Sequence, residues 1–144
     1  MKRLASMAGE AAELAGLRIE EGRHLALNFV TSGEIRQVNA KFLGHDRATD
    51  VISFDYRRSG ICLPGDPAAE IFVSPEAAEA FAARRKGRSY SDEMALYVVH
   101  GILHAAGEED YTPAARRRMR GRERRIIARL KSKYKFEEMF PNDD

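Results

Sequence analysis

Ser89-Tyr90-Ser91-Asp92-Glu93-Met94-Ala95-Leu96-Tyr97-Val98-Val99-His100-Gly101-Ile102-Leu103-His104-Ala105-Ala106-Gly107 is the stretch on which the fold turns. Met94, Tyr97, Val98, Ile102 and Leu103 recur at helical spacing. Ser89 stands three residues before Asp92, a capping-box-like start in which Asp replaces the usual Glu. Gly107 is a natural left-handed stop. A helix this apolar belongs in the middle of the molecule, covered by its neighbours.

The elements on either side follow from local signals. Ser74-Pro75-Glu76 opens a helix with a hydroxyl N-cap, Pro at the first helical position and an acid suited to the dipole. It runs to about Lys86 and closes at Gly87. Before it, residues 70–73 read as a short apolar strand, residues 59–67 as a Gly/Pro-rich loop or hairpin, and residues 50–56 as a strand. Ile35, Val38 and Phe42 mark a helix that starts at Thr31-Ser32-Gly33-Glu34 and stops at Gly44. Residues 23–30 alternate around Leu25, Leu27 and Phe29 as a strand should. Residues 3–16 form an Ala-rich helix. Beyond Gly107, Thr112-Pro113 opens a last helix that ends near Lys131. The order predicts an α+β fold: a small mixed sheet of three or four strands packed against about five helices, in one domain spanning residues 1–144. Residues 132–144 mix basic and acidic groups with Phe136 and Phe140 and are expected to fray or pack loosely.

Composition narrows the functional classes. Charged residues make up 32% of the 144 and apolar residues 44%, the balance of a globular chain rather than a disordered one. The formal charge of +2 hides an asymmetry. Residues 111–135 hold eleven Lys and Arg and one acid, Glu123, a net of +10, which leaves the rest of the chain at −8. A basic segment on an acidic body points to a polyanion partner or to internal pairing. No run of 18 apolar residues exists to span a bilayer. The basic start Met1-Lys2-Arg3 is followed by Glu10 and Glu13 rather than an apolar stretch, so secretion is not expected and a cytoplasmic location is. The single Cys62 excludes an internal disulfide and a Cys-rich zinc site, and reads as a small apolar residue.

His100 and His104 sit at i and i+4, which puts two imidazoles on one helix face a turn apart, able to share one metal ion. Four histidines placed at random give such a pair roughly one time in twelve, so the spacing alone is a weak signal. Gly107 adds to it, because the reversed chain can bring Asp110 back over the same face. Two His and one carboxylate form a catalytic zinc set with a fourth position open for water; the same donors also suit nickel or iron. The bland alternative is a pair of core histidines with other hydrogen-bond partners. Gly101 occupies the position where H-E-x-x-H metalloproteases carry their general-base Glu, which argues against that mechanism. His24 and His45, each alone, read as structural or surface residues.

Three ordered blocks carry a resemblance. His100-Gly101-Ile102-Leu103-His104-Ala105-Ala106-Gly107 with a third ligand six residues after the second His is one. Val38-Asn39-Ala40-Lys41-Phe42 followed by Asp46-Arg47-Ala48-Thr49-Asp50-Val51-Ile52-Ser53-Phe54 is the second, and Glu70-Ile71-Phe72-Val73-Ser74 before a helix is the third. Together they resemble the YbeY-type endoribonucleases, the bacterial rRNA maturation factors, over about residues 23–110. The resemblance implies a metal-dependent, single-strand-specific endoribonuclease acting in rRNA processing, including late 16S rRNA maturation and ribosome quality control. It implies one zinc ion per chain on His100, His104 and Asp110, with rRNA and the small ribosomal subunit as partners; a monomer is expected. The alternative is a ribosome-associated assembly factor with a structural metal and weak or lost nuclease activity.

This chain departs from the family pattern at defined positions. The third ligand is normally His, and Asp110 stands there; its charge should weaken the Lewis acidity of the ion. Glu108 and Glu109 are fallback ligands. The family's Arg after the aromatic aligns with Leu43, and Ala48 replaces a Pro. Zinc would orient and acidify a water or polarise a phosphoryl oxygen. Transition-state charge also needs nearby cations, for which Lys41, Arg47, Arg84 and Arg85 are candidates. Arg116, Arg120 and Arg124 of the last helix are candidates for RNA phosphates, the alternative being a solvated face paired with the acidic body. No general base is evident.

Overall fold

A computed structural model describes residues 2–45, 49–57, 65–85 and 87–142. Among them the elements run α1 (Lys2–Ala15), β1 (His24–Phe29), α2 (Ser32–Val38), a π turn (Asn39–Leu43), β2 (Val51–Asp55), β3 (Pro67–Val73), α3 (Pro75–Arg84), α4 (Tyr90–Ala105), α5 (Pro113–Lys131) and α6 (Phe136–Met139). The fold is α+β, with one helix more than expected. Among the described residues no helix is long and apolar enough to cross a membrane. Cys62 and residues 59–64 of the expected loop lie outside the described residues.

The sheet has the order β1-β3-β2. β1 runs parallel to β3, with Leu27 opposite Ile71, and β2 runs antiparallel to it, with Ser53 opposite Ile71. Strand side chains alternate between faces, so Leu27, Val51, Ser53, Ala69, Ile71 and Val73 share one face. Helix α4 lies on that face. Gly101 is what lets it lie so close: a Cβ there would come within 2.7 Å of Ile71 Cγ2 and 3.0 Å of Val51 Cγ2. Ser53 Oγ donates to the Gly101 carbonyl at 2.8 Å across this contact. The missing metalloprotease Glu therefore has a packing cause, since any side chain at this position would drive the helix off the sheet.

Helix α4 also packs against α1, α3, α5 and α6. Val98, Val99, Ile102 and Leu103 are fully buried. Ser89 caps it by accepting from the Asp92 N–H at 3.0 Å. The sheet's other face carries an aromatic cluster. Phe54 meets Phe72 edge-on at 5.9 Å and Phe42 of the π turn at 5.7 Å. Glu70 accepts there from Asn28 Nδ2 and Tyr56 Oη, both at 3.1 Å. Burial and the Glu70 carboxylate push the Tyr56 phenol up to about 12.

Two expectations change. The helix after Thr31 does not stay α-helical to Gly44. Thr31 and Glu34 form a full capping box at its start, but the last turn widens, with the Gly44 N–H bonding the Asn39 carbonyl five residues back. Gly44, at φ 74°, ends it. The tail up to Phe140 is packed rather than frayed. Phe136, Met139 and Phe140 are buried in the core cluster, and Ser91 Oγ donates to the Phe140 carbonyl at 2.9 Å. Burying a Phe side chain is worth about 1.5–3 kcal/mol, enough to override the charged residues between the two rings.

Candidate metal centre

The centre is built at the C-terminal end of α4, where helix carbonyls face outward and favour positive charge. His100 and His104 project from one face with ring centroids 4.6 Å apart. Gly107, at φ 107°, reverses the chain. Its N–H bonds the His104 carbonyl at 3.0 Å, and the Glu108 N–H returns to the Leu103 carbonyl at 3.0 Å. That double closure is how glycine ends a helix, and it carries Asp110 back over the histidines. One ligand atom each from His100, His104 and Asp110 lie within 4.8 Å of one another. Asp110 Oδ2 stands 3.5 Å from His104 Nε2, close to the roughly 3.4 Å between two donors that share a tetrahedral ion at 2.0–2.2 Å.

Hydrogen bonds set which nitrogen of each ring is free. His104 Nδ1 lies 3.0 Å from the Glu108 carbonyl, which only accepts, so Nδ1 carries the proton. His100 Nδ1 lies 3.3 Å from Glu123 Oε1 of α5, and the carboxylate likewise requires a donor. In the neutral imidazoles both Nε2 lone pairs are then bare. His104 Nε2 faces a carboxylate oxygen with no proton of its own between them, an arrangement that a shared cation satisfies. The donor set and the forced tautomers therefore fit a metal ion.

The local field points the same way. Burial disfavours protonation of His100, but the hydrogen bond and charge of Glu123, with the charges of Asp50 and Asp110, outweigh it and raise its pKa above the ordinary histidine value. The carboxylates of Glu123, Asp50 and Asp110 thus make the field at His100 negative, which favours a cation. Glu123 is buried, and its role was missed in the sequence. A carboxylate on the outer nitrogen of a ligating histidine fixes ring and tautomer and typically matters 10–100-fold for metal affinity, so about that much is expected of Glu123.

Other groups hold the frame. Arg57 grips Asp55 through Nε at 2.8 Å and Nη2 at 3.0 Å, and Nη2 also donates to the Ala105 carbonyl at 3.0 Å, tying β2 to the end of α4. Arg122 holds the Glu108 carboxylate at 2.8 Å. Glu108 is thereby engaged as an ion-pair partner and carbonyl acceptor rather than as a fallback ligand. Glu109 is exposed, as are His24 and His45.

The expected cations sort unevenly. Arg116 donates to the Asp110 carbonyl at 3.2 Å, beside the centre. Arg84 lines a pocket of about 460 Å³ with Asp50, whose charge reaches His100. Arg120 and Arg124 line a cleft together with Glu123. Arg85 lies over the Phe81 ring at 4.9 Å and Lys41 over Phe42 at 5.3 Å, so both are engaged with aromatic neighbours. Arg47 lies outside the described residues. Leu43, half exposed, ends the π turn.

Comparisons with known proteins identify the family. The family model described as Endoribonuclease YbeY matches residues 1–131. The Endoribonuclease YbeY of Elusimicrobium minutum is 39% identical over 123 residues, 85% of each chain. That of Bacteroides thetaiotaomicron is 36% identical over 104 residues, 72% of each. The solution structure of TM1509 from Thermotoga maritima shares the fold, with a TM-score of 0.60 at 24% identity, over 99% of this chain and 89% of that one. A match that runs through both histidines, the aspartate and the helix carrying Glu123 makes this chain a member of the YbeY endoribonuclease family.

Proposed function

We propose that the protein is a metal-dependent endoribonuclease that cuts single-stranded RNA in the processing of ribosomal RNA. The observation that carries this reading is the convergence of His100, His104 and Asp110 within 4.8 Å, in a chain of the YbeY family. These three residues would hold one zinc ion; two imidazoles and a carboxylate suit it. The ion, when bound, supplies Lewis acidity toward a phosphoryl oxygen or a water.

The chain's own residues do the remaining work. Glu123 and the Glu108 carbonyl hold the two rings with Nε2 inward. Asp110 is more than a third exposed and His104 nearly so, which leaves the centre open to a strand of RNA. Arg116, which donates to the Asp110 carbonyl, and Arg84, in the pocket shared with Asp50, would offset phosphate charge as it builds in the transition state. Arg120 and Arg124 extend the basic surface along α5; Lys41, Arg47 and Arg85 are left a secondary part in RNA binding. The setting is the cytoplasm, the substrate the 16S rRNA of the small subunit during late maturation and quality control, and the acting form a monomer.

A second reading has specific support. Asp110 adds negative charge where the family pattern has His, and Leu43 replaces an Arg, so a ribosome assembly factor with a structural metal and little nuclease activity is the alternative. Cleavage of labelled single-stranded RNA by wild type and His104→Ala at matched zinc content separates the two. The proposal expects cutting by wild type and a loss of at least about a hundredfold in His104→Ala. Equal cutting by both contradicts it. Zinc-loaded protein that binds rRNA without cutting selects the assembly factor.

A further inference from the structure

Helix α5 carries eight arginines, and their surroundings divide them. Arg122 is held by Glu108 and the Leu14 carbonyl. Arg125 and Arg129 flank it, beside Leu14. On the opposite flank lie Arg120 and Arg124, which like Arg125 and Arg129 have no carboxylate partner among the described residues. With Arg88, from the turn before α4, and Lys131 they line a cleft of about 550 Å³. Leu96 and Ile127 give the cleft an apolar wall, and Glu123 is its buried member.

Two independent connections join this cleft to the metal centre. Glu123 lines the cleft with one carboxylate that also meets His100 Nδ1 at 3.3 Å. Arg116, Arg120 and Arg124 are spaced four residues apart, so they form a row along one face of α5 with steps of about 6 Å. The row begins where Arg116 donates to the Asp110 carbonyl. Arg88 and Lys131 are neutralised by Glu93 and Asp92, each at 3.3 Å, yet about half of each side chain stays exposed. Within the cleft, the unpaired charge therefore rests on Arg120 and Arg124.

We infer that this cleft is the subsite for the RNA strand on one side of the cleaved bond. Arg120 and Arg124 take consecutive phosphates leading away from the centre, and the Leu96–Ile127 wall takes the face of a base. A basic groove that tracks the backbone holds single strands without reading sequence, and here an aliphatic wall stands in place of an aromatic stacking platform under the base. The acidic remainder of the chain repels phosphate, which makes α5 the favoured approach, and the cleft's link to His100 through Glu123 singles out this flank. The inference rests on the nuclease reading and adds to it the path of the strand.

The test is fluorescence anisotropy with a labelled 12-nucleotide single-stranded RNA on zinc-loaded protein, using the exposed pairs Arg120→Gln/Arg124→Gln and, as a charge-matched control on the other flank, Arg125→Gln/Arg129→Gln. The cleft pair should weaken binding at least about tenfold at moderate salt and reduce the salt slope by about 1.4, some 0.7 for each lost phosphate contact. The control pair should change binding less than about threefold, the size expected of nonspecific screening. Equal losses in the two pairs, or none in the cleft pair, overturn the inference and leave the cleft to a partner of another class, such as an acidic protein surface. Cleavage by wild type against His104→Ala in the same samples keeps the two readings apart. If cutting depends on His104 while the cleft pair binds normally, only the subsite falls. If His104→Ala cuts as wild type, the nuclease centre falls, and the strand path that rests on it falls with it, whatever the cleft binds.

Discussion

Glu123 Oε1 meets His100 Nδ1 at 3.3 Å, across the interface between α5 and α4, from a position that is almost fully buried. One acid among eleven basic residues is thus turned away from its neighbours and toward the candidate metal centre. Removing it should cost metal affinity rather than fold. Glu123→Ala is expected to weaken zinc binding by about 10–100-fold. Glu123→Gln keeps an acceptor for the Nδ1 proton and should lose less. Competition with a chromophoric chelator measures both, and equal, undiminished affinity in the two variants would remove Glu123 from the site.

The contact of α4 with the sheet predicts a stability effect at a residue that touches no ligand. A Cβ on Gly101 would stand 2.7 Å from Ile71 Cγ2 and 3.1 Å from Ser53 Oγ. Gly101→Ala should therefore destabilise the protein by about 1–3 kcal/mol, although Ala is the better helix former. Urea unfolding reads this directly, and a variant as stable as wild type would mean that helix and sheet are further apart than described.

The C-terminal segment is expected to unfold with the core. Phe140→Ala should cost about 3–5 kcal/mol, because the ring is buried against the core cluster and packs edge-on at 6.3 Å with Phe29. A melting temperature unchanged by Phe140→Ala would return the tail to the frayed state.

Much of the fold and of the site is legible in the sequence. Ser89 and Gly107 bracket α4, and the i,i+4 histidines with a glycine turn before Asp110 place three donors together. Glu123 was not legible as a partner, being 23 residues from His100; only its position on the buried stripe with Met119, Ile126 and Leu130 hinted at it. The i,i+4 spacing of Phe136 and Phe140 marked a buried helical turn, but the surrounding charges concealed it. That Glu108 holds Arg122 while Arg120 and Arg124 share a cleft with Arg88 depends on where these residues fall in space, which no local pattern encodes.

Glu93 carries a pH dependence with a definite sign. Burial raises its pKa most strongly; Arg88 and a hydrogen bond with Tyr97 work against this, and the charges of Asp50 and Asp92 add to it. A carboxyl whose pKa is higher folded than unfolded binds more protons in the fold, so it lowers stability as pH rises through that range. Glu93→Gln should be more stable than wild type at pH 7.5, with the gain shrinking as pH falls toward the unfolded carboxylate range. The half-exposed Arg88 loses only a weak surface pair in exchange. Urea unfolding at several pH values checks the trend, and a Glu93→Gln variant less stable at pH 7.5 than wild type would reverse it.

The central claim is that His100, His104 and Asp110 hold one catalytic metal ion. Elemental analysis of protein purified without added metal, then again after zinc addition and desalting, tests it most directly when wild type is compared with His104→Ala and Asp110→Ala. The account predicts about one zinc per wild-type chain after loading, and at least a tenfold loss of affinity in each variant. A wild-type ratio near zero after loading, or the same ratio in wild type and both variants, would contradict it.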